Sequence, residues 1–162
     1  MKKINIILSA LSAAALVGCA SSSNQVVTQP VGPDLAPPRV NVGAGQGRLV
    51  VYTAREMADP VAYFPAHGAY KIYRPDGSLV SRVDNRTGTF DQEPPAVVLP
   101  VGKYKIEGHA TNAGDVTVPV VVAENKTTIV DLEGNTLTQR KPTGAGQYIR
   151  LPDGKVIGMR VE

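Results

Sequence analysis

The alternation of apolar and polar residues from 103 to 122 constrains this chain more than any other feature. In Lys103-Tyr104-Lys105-Ile106-Glu107-Gly108-His109-Ala110, Tyr104, Ile106, Gly108 and Ala110 share one side, and Lys103, Lys105, Glu107 and His109 the other. Successive side chains of a strand point to opposite faces, so this is a half-buried strand and not a helix of 3.6-residue period. Val116, Val118, Val120 and Val122 alternate in the same way with Thr117, Pro119 and Val121. Pro119 has no N–H to give to a ladder, which predicts that this strand is an edge or carries a bulge there. Similar patterns predict strands over 49–54, 69–74, 79–83, 96–99 and 127–132. No segment beyond 53–58 sustains an apolar period of 3.6 residues, and a short helix or irregular loop is expected there before Pro60.

Turn chemistry separates these segments. Arg74-Pro75-Asp76-Gly77 puts proline where φ near −65° is wanted and glycine where positive φ is tolerated, so the flanking strands should fold back on each other. Leu99-Pro100-Val101-Gly102 is expected to do the same before Lys103. Seven short strands between Gly and Pro turns, with 5% aromatic residues and no tryptophan, predict an all-β chain folded as an antiparallel sandwich. After a Pro- and Gly-containing linker at 135–147, Tyr148-Ile149-Arg150-Leu151 and Lys155-Val156-Ile157-Gly158-Met159-Arg160-Val161 flank a second Pro-Asp-Gly turn, giving a C-terminal β-hairpin over 148–162. Ile157, Met159 and Val161 need cover, because an isolated two-stranded hairpin buries too little apolar surface to be stable in water. Docking on the sandwich, docking on a partner and a frayed tail are the three alternatives.

Gly68-Ala69-Tyr70-Lys71-Ile72-Tyr73 leading to Asp76-Gly77, then Val98 to Ile106, then Val118 to Val122, then Thr127 to Leu132, together resemble prealbumin-like sandwiches related to carboxypeptidase regulatory domains. Those domains share "Leu-Pro-x-Gly-x-Tyr" before a central strand and a closing "Thr-x-x-Val-x-Leu" strand. The resemblance covers residues 47–134 and implies a seven-stranded prealbumin-like sandwich. It also implies a non-catalytic spacer, binding or stabilising unit. Asp59-Pro60-Val61-Ala62-Tyr63-Phe64 stands where the family has Gly-x-Pro-Val after its first strand.

The first residues carry an address. Lys2 and Lys3 precede an apolar run over 4–17, and Leu16-Val17-Gly18-Cys19 brings in the only cysteine of the chain. Fourteen residues cover about 21 Å of a hydrocarbon core about 30 Å thick, too short for a spanning helix, so 1–18 is read as a signal peptide. The four residues ending at Cys19 resemble the lipobox of bacterial lipoproteins. The resemblance implies cleavage between Gly18 and Cys19, attachment of diacylglycerol to the thiol, and acylation of the new amine. Two or more acyl chains hold a protein firmly to a bilayer. Ala20 follows, where an acidic residue favours inner-membrane retention in such proteins, so a cell-envelope place at the outer membrane is expected. Residues 19–46, rich in Ser, Gln, Pro and Gly, read as the lipidated cysteine and a flexible tether.

Charge and composition narrow the functions. The chain has 17 basic and 14 acidic residues, and without Lys2 and Lys3 the balance is 15 to 14. No basic cluster with interleaved aromatics speaks for nucleic acid. Acylation of Cys19 leaves no thiol for a disulfide or a metal site, and no cofactor motif is present; Gly43-Ala44-Gly45-Gln46-Gly47 lacks the strand before and the helix after that a phosphate loop needs. His67 lies in a loop and His109 on the polar face of its strand, neither with metal-ligand spacing. Asp91 and Glu93 flank Gln92 before Pro94-Pro95 and read as solvated loop charges. Tyr63, Phe64, Tyr70 and Tyr73 hold half of the eight aromatics within eleven residues. Core packing explains such a group. If exposed, Tyr63, Phe64 and Tyr73 offer a binding surface for a glycan or an envelope protein. The expectation is thus a non-enzymatic binding or scaffolding module, with a hydrolase or glycan-processing accessory as the alternative.

Overall fold

A computed structural model describes residues 24–34, 42–57, 65–86, 93–135, 137 and 147–161. These form thirteen strands and no helix: β1 (Gln25–Val26), β2 (Val31–Gly32), β3 (Gln46–Tyr52), β4 (Arg55–Glu56), β5 (Ala66–His67), β6 (Tyr70–Tyr73), β7 (Leu79–Val83), β8 (Val97–Pro100), β9 (Gly102–Ala110), β10 (Gly114–Val122), β11 (Thr127–Asp131), β12 (Tyr148–Arg150) and β13 (Val156–Arg160). An eight-stranded sheet runs β12-β13-β2-β10-β9-β6-β7, with β1 also paired to β10; a three-stranded sheet runs β11-β3-β8, and β4-β5 make a separate ribbon. The chain is all-β with a C-terminal hairpin, as expected, but the strands number more than seven. Pairing is also mixed: β1 and β2 run parallel to β10, and β11 runs parallel to β3.

The β9–β10 hairpin is the spine. Its register holds without a shift from Gly114 opposite Ala110 to Val122 opposite Gly102. Tyr104, Ile106, Gly108 and Ala110 and the four alternating valines are all buried, while Lys103, Lys105 and His109 face solvent. Leu49 and Val51 of β3, Leu99 of β8 and Val130 of β11 join them in one core with Tyr70 and Ile72 of β6. Each such aliphatic side chain stabilises the fold by about 1.5–3 kcal/mol relative to exposure.

Three expectations need correction. Residues 25–34, assigned to the tether, are built into the large sheet. Val27 N–H donates to Thr117 O at 2.9 Å, Val31 lies opposite Val120 and is fully buried, and Asp34 N–H reaches Thr127 O of the small sheet at 2.9 Å. This segment covers the flank of β10, whose backbone groups would otherwise form an open edge. Consequently β10 is neither an edge nor bulged at Pro119. The N–H and C=O of a strand residue point to the same side, and sides alternate along the strand. Thr117 faces β1, so Pro119 does too, and its missing N–H falls where residues 27–30 leave the sheet between β1 and β2. Finally, Leu99-Pro100-Val101-Gly102 does not fold its flanking strands onto each other: β8 pairs with β3, and β9 with β10 and β6. It carries the chain from one sheet to the other, held by Val101 N–H on Gly45 O at 2.9 Å and Tyr104 Oη on Pro100 O at 2.9 Å. By contrast, Arg74-Pro75-Asp76-Gly77 closes the antiparallel β6–β7 hairpin, with Gly77 at φ 90°.

Of the segment 53–58, the described residues 53–57 form no helix and include β4, which pairs with β5. The C-terminal hairpin docks within the chain, Met159 and Arg160 of β13 lying opposite Gly32 and Val31. Ile157 enters the main core, while Val156 joins Tyr52, Ile129 and Leu137 in a second one that Tyr148 borders. The hairpin therefore covers the outer face of β11, which explains why every residue of β11 is buried.

Candidate functional site

Cys19, Gly18, Tyr63 and Phe64 lie outside the described residues, as does Asp91. Tyr73 is placed on the outer face of the large sheet, half-buried and opposite in direction to the buried Tyr70 and Ile72. Its hydroxyl donates to Glu107 Oε2 at 3.0 Å, and Lys71 Nζ stands 3.9 Å from the same oxygen. Within the core, burial pushes the Tyr70 phenol well above its ordinary value and keeps it neutral.

His67 is more deeply placed than a loop position suggested. It sits in β5, is 4% exposed, and meets the Tyr52 ring edge-on at 5.7 Å. Its Nδ1 lies 2.7 Å from Thr53 O; a carbonyl only accepts, so Nδ1 carries the proton. Thr53 Oγ1 donates to Gly68 O at 2.7 Å, and Asn85 Nδ2 donates to Val51 O at 2.8 Å and to Thr53 Oγ1 at 3.1 Å. These buried groups satisfy the carbonyls of Val51 and Thr53 at the end of β3, where the chain leaves the small sheet, and that of Gly68 after β5. Ala54 N–H is taken by His109 O at 2.8 Å, tying this corner to β9. The cluster is a polar latch that closes one end of the sandwich.

Among the described residues, two concavities on the surface stand out. A polar groove of about 420 Å³ runs over the outer face of β6, β9 and β10, lined by Glu56, Lys71, Arg82, Glu107, His109 and Asp115. The register sets Lys71 between Arg82 and Glu107, and His109 opposite Asp115, with Nδ1 and Oδ1 3.0 Å apart. Both partners of the His109–Asp115 pair are about half exposed, which limits its worth to about 0–1 kcal/mol. Donors and acceptors of both signs, repeated at the strand spacing of about 4.8 Å, suit a polar partner bound by hydrogen bonds. Glu93 is exposed and does not line this groove. Among the described residues no three His, Cys, Asp or Glu side chains gather as metal ligands do.

The second concavity, about 440 Å³, lies between residues 25–29 and the C-terminal hairpin. Val26, Val27, Tyr148 and Ile149 supply apolar walls, and Arg150 and Arg160 the charge. Arg150 Nη1 donates to Gly154 O at 2.7 Å and Arg160 Nη2 to Gln29 Oε1 at 2.9 Å. The cleft is hidden in the sequence because residues 25–29 have the composition of a tether. The signal available was the pair of arginines, one before and one after the second Pro-Asp-Gly turn. No protein-family model, curated protein or solved structure matches the chain.

Proposed function

We propose that the chain is a cell-envelope lipoprotein, anchored through Cys19 to the outer membrane, whose β-domain is a non-enzymatic module that binds or scaffolds an envelope protein or glycan. The observation that carries this reading is Leu16-Val17-Gly18-Cys19 after a basic and apolar start, ending in the only cysteine. Two features of the fold support it. The imidazole of His67 is engaged in the latch at the end of β3 rather than presented to solvent. The polar groove on the outer face of the large sheet and the cleft beside β1 are lined by hydrogen-bonding and cationic groups suited to holding a partner. Likeness to carboxypeptidase regulatory domains in the strands of 68–132 points the same way.

Metabolic labelling with palmitate followed by membrane fractionation tests the anchor. The unsubstituted protein should carry label and sediment with membranes, and Cys19→Ala should do neither. A Cys19→Ala protein that still labels and still sediments refutes it. Crosslinking in native envelopes then identifies what the domain holds.

A further inference from the structure

The cleft beside β1 lies at the point where the chain joins the anchor. Gln25 lies six residues after Cys19, a reach of at most about 20 Å. That is less than the width of a fold of this length, whose radius of gyration is about 14 Å. If the anchor is at Cys19, the part of the domain that carries Gln25 has to stay next to the bilayer, with β12 of the cleft at one end of the large sheet and β7 at the other.

The chemistry of this rim matches the position. Val26 is an apolar side chain left 68% exposed, and it lines the cleft together with Val27 and Ile149. Arg150 and Arg160 both line it, and neither pairs with a carboxylate among the described residues. Each spends one nitrogen on a protein acceptor, which positions the guanidinium and leaves its other N–H groups for phosphate oxygens. The nearby Asp153 carboxylate is turned to Lys155 N–H at 3.0 Å. Cations within a Debye length of about 10 Å from an anionic leaflet are held there by its surface potential.

We propose that this rim is a membrane-docking face: Arg150 and Arg160 contact the phosphates of anionic lipids while Val26 settles among the headgroups, so the domain lies on the bilayer and does not swing on a tether. The proposal rests on Cys19 being the anchor. It commits to the lipid surface as occupant.

The test uses the mature acylated protein in vesicles of phosphatidylcholine, with or without phosphatidylglycerol, doped with a lipid-borne spin label. Thr28→Cys places a maleimide fluorophore on the rim, and Leu79→Cys places one on the far edge. The spin label should quench the fluorophore at 28 more than the one at 79, and phosphatidylglycerol should deepen that difference. Arg150→Gln with Arg160→Gln should lower the ratio of docked to undocked protein roughly thirtyfold in phosphatidylglycerol vesicles. Equal quenching at both positions, or quenching at 28 that ignores both phosphatidylglycerol and the arginines, overturns the proposal. Maleimide labelling of the protein with no introduced cysteine is the control for the anchor: no labelling is expected, and labelling, which needs a free Cys19 thiol, would overturn the anchor and the docking face with it, an outcome distinct from a failure of the face alone.

Discussion

Val31 and Gly158 form a notch-and-knob contact that decides whether residues 25–34 and the C-terminal hairpin belong to the fold. Val31 is fully buried, and a Cβ built on Gly158 would overlap its side chain. Val31→Ala removes two methyl groups, worth about 1.6 kcal/mol at about 0.8 kcal/mol each. A residual hole of about 50 Å³ adds about 1.2 kcal/mol at about 24 cal/mol per Å³. The single change should therefore cost between about 2 and 3 kcal/mol. Gly158→Ala drives a methyl into Val31 and should cost about 1–3 kcal/mol. In the double variant the methyl added at 158 occupies the space vacated at 31, so the two costs should not sum; a coupling of about 2 kcal/mol is expected. Urea denaturation followed by circular dichroism measures it, with an unchanged slope required for the comparison. Additivity within about 0.5 kcal/mol refutes the contact and, with it, the packing of β2 on β13.

Other perturbations probe other layers. Ile106→Ala should lower stability by about 2–5 kcal/mol, because Ile106 is fully buried on β9; an unchanged urea midpoint would mean that the strand faces the other way. Gly47→Ala should cost more than about 2 kcal/mol, since a Cβ there collides with the carbonyl oxygen of Ala123, a backbone atom that cannot step aside. In the β6–β7 turn, the Ser78 backbone N–H at 2.8 Å and then its hydroxyl hold the Asp76 carboxyl below its usual range. A depressed carboxyl supports the fold above the ordinary carboxylate range, and that support is lost as pH falls through the lowered native value. Ser78→Ala keeps the backbone bond and removes the hydroxyl, so the Asp76 midpoint followed by carboxyl NMR should rise part of the way to its ordinary value; no movement would show that the hydroxyl plays no part.

The long strands were legible because burial on one face leaves a period-two record. β9 and β10 read directly from Tyr104 to Ala110 and from Val116 to Val122, and β7 has the bounds expected for it. β1 and β2 were not legible. Two residues each cannot show a period, and Val31 sits between Pro30 and Pro33 in a stretch with turn composition. Their strand character comes from the neighbours they pair with, and tertiary contact overrides local propensity. Pro119 misled for the same reason: its missing donor is harmless where the partner strand is interrupted, a gap made by a distant segment. Leu99-Pro100-Val101-Gly102 carries turn chemistry, yet turn chemistry alone does not say whether the chain returns to the same sheet or crosses to the other. Of the candidate surface, Tyr73 lies on the face opposite Tyr70 and Ile72, as strand alternation requires, but its tie to Glu107 depends on the β6–β9 register, which no local pattern encodes.

Lipid anchoring is tested most directly by intact and tandem mass spectrometry of the mature protein extracted from native membranes. The expected result is a chain that begins at Cys19 and carries both a thioether-linked diacylglycerol and an acylated amine. A chain that retains Met1 to Gly18, or one that begins elsewhere with a free Cys19 thiol, would contradict it.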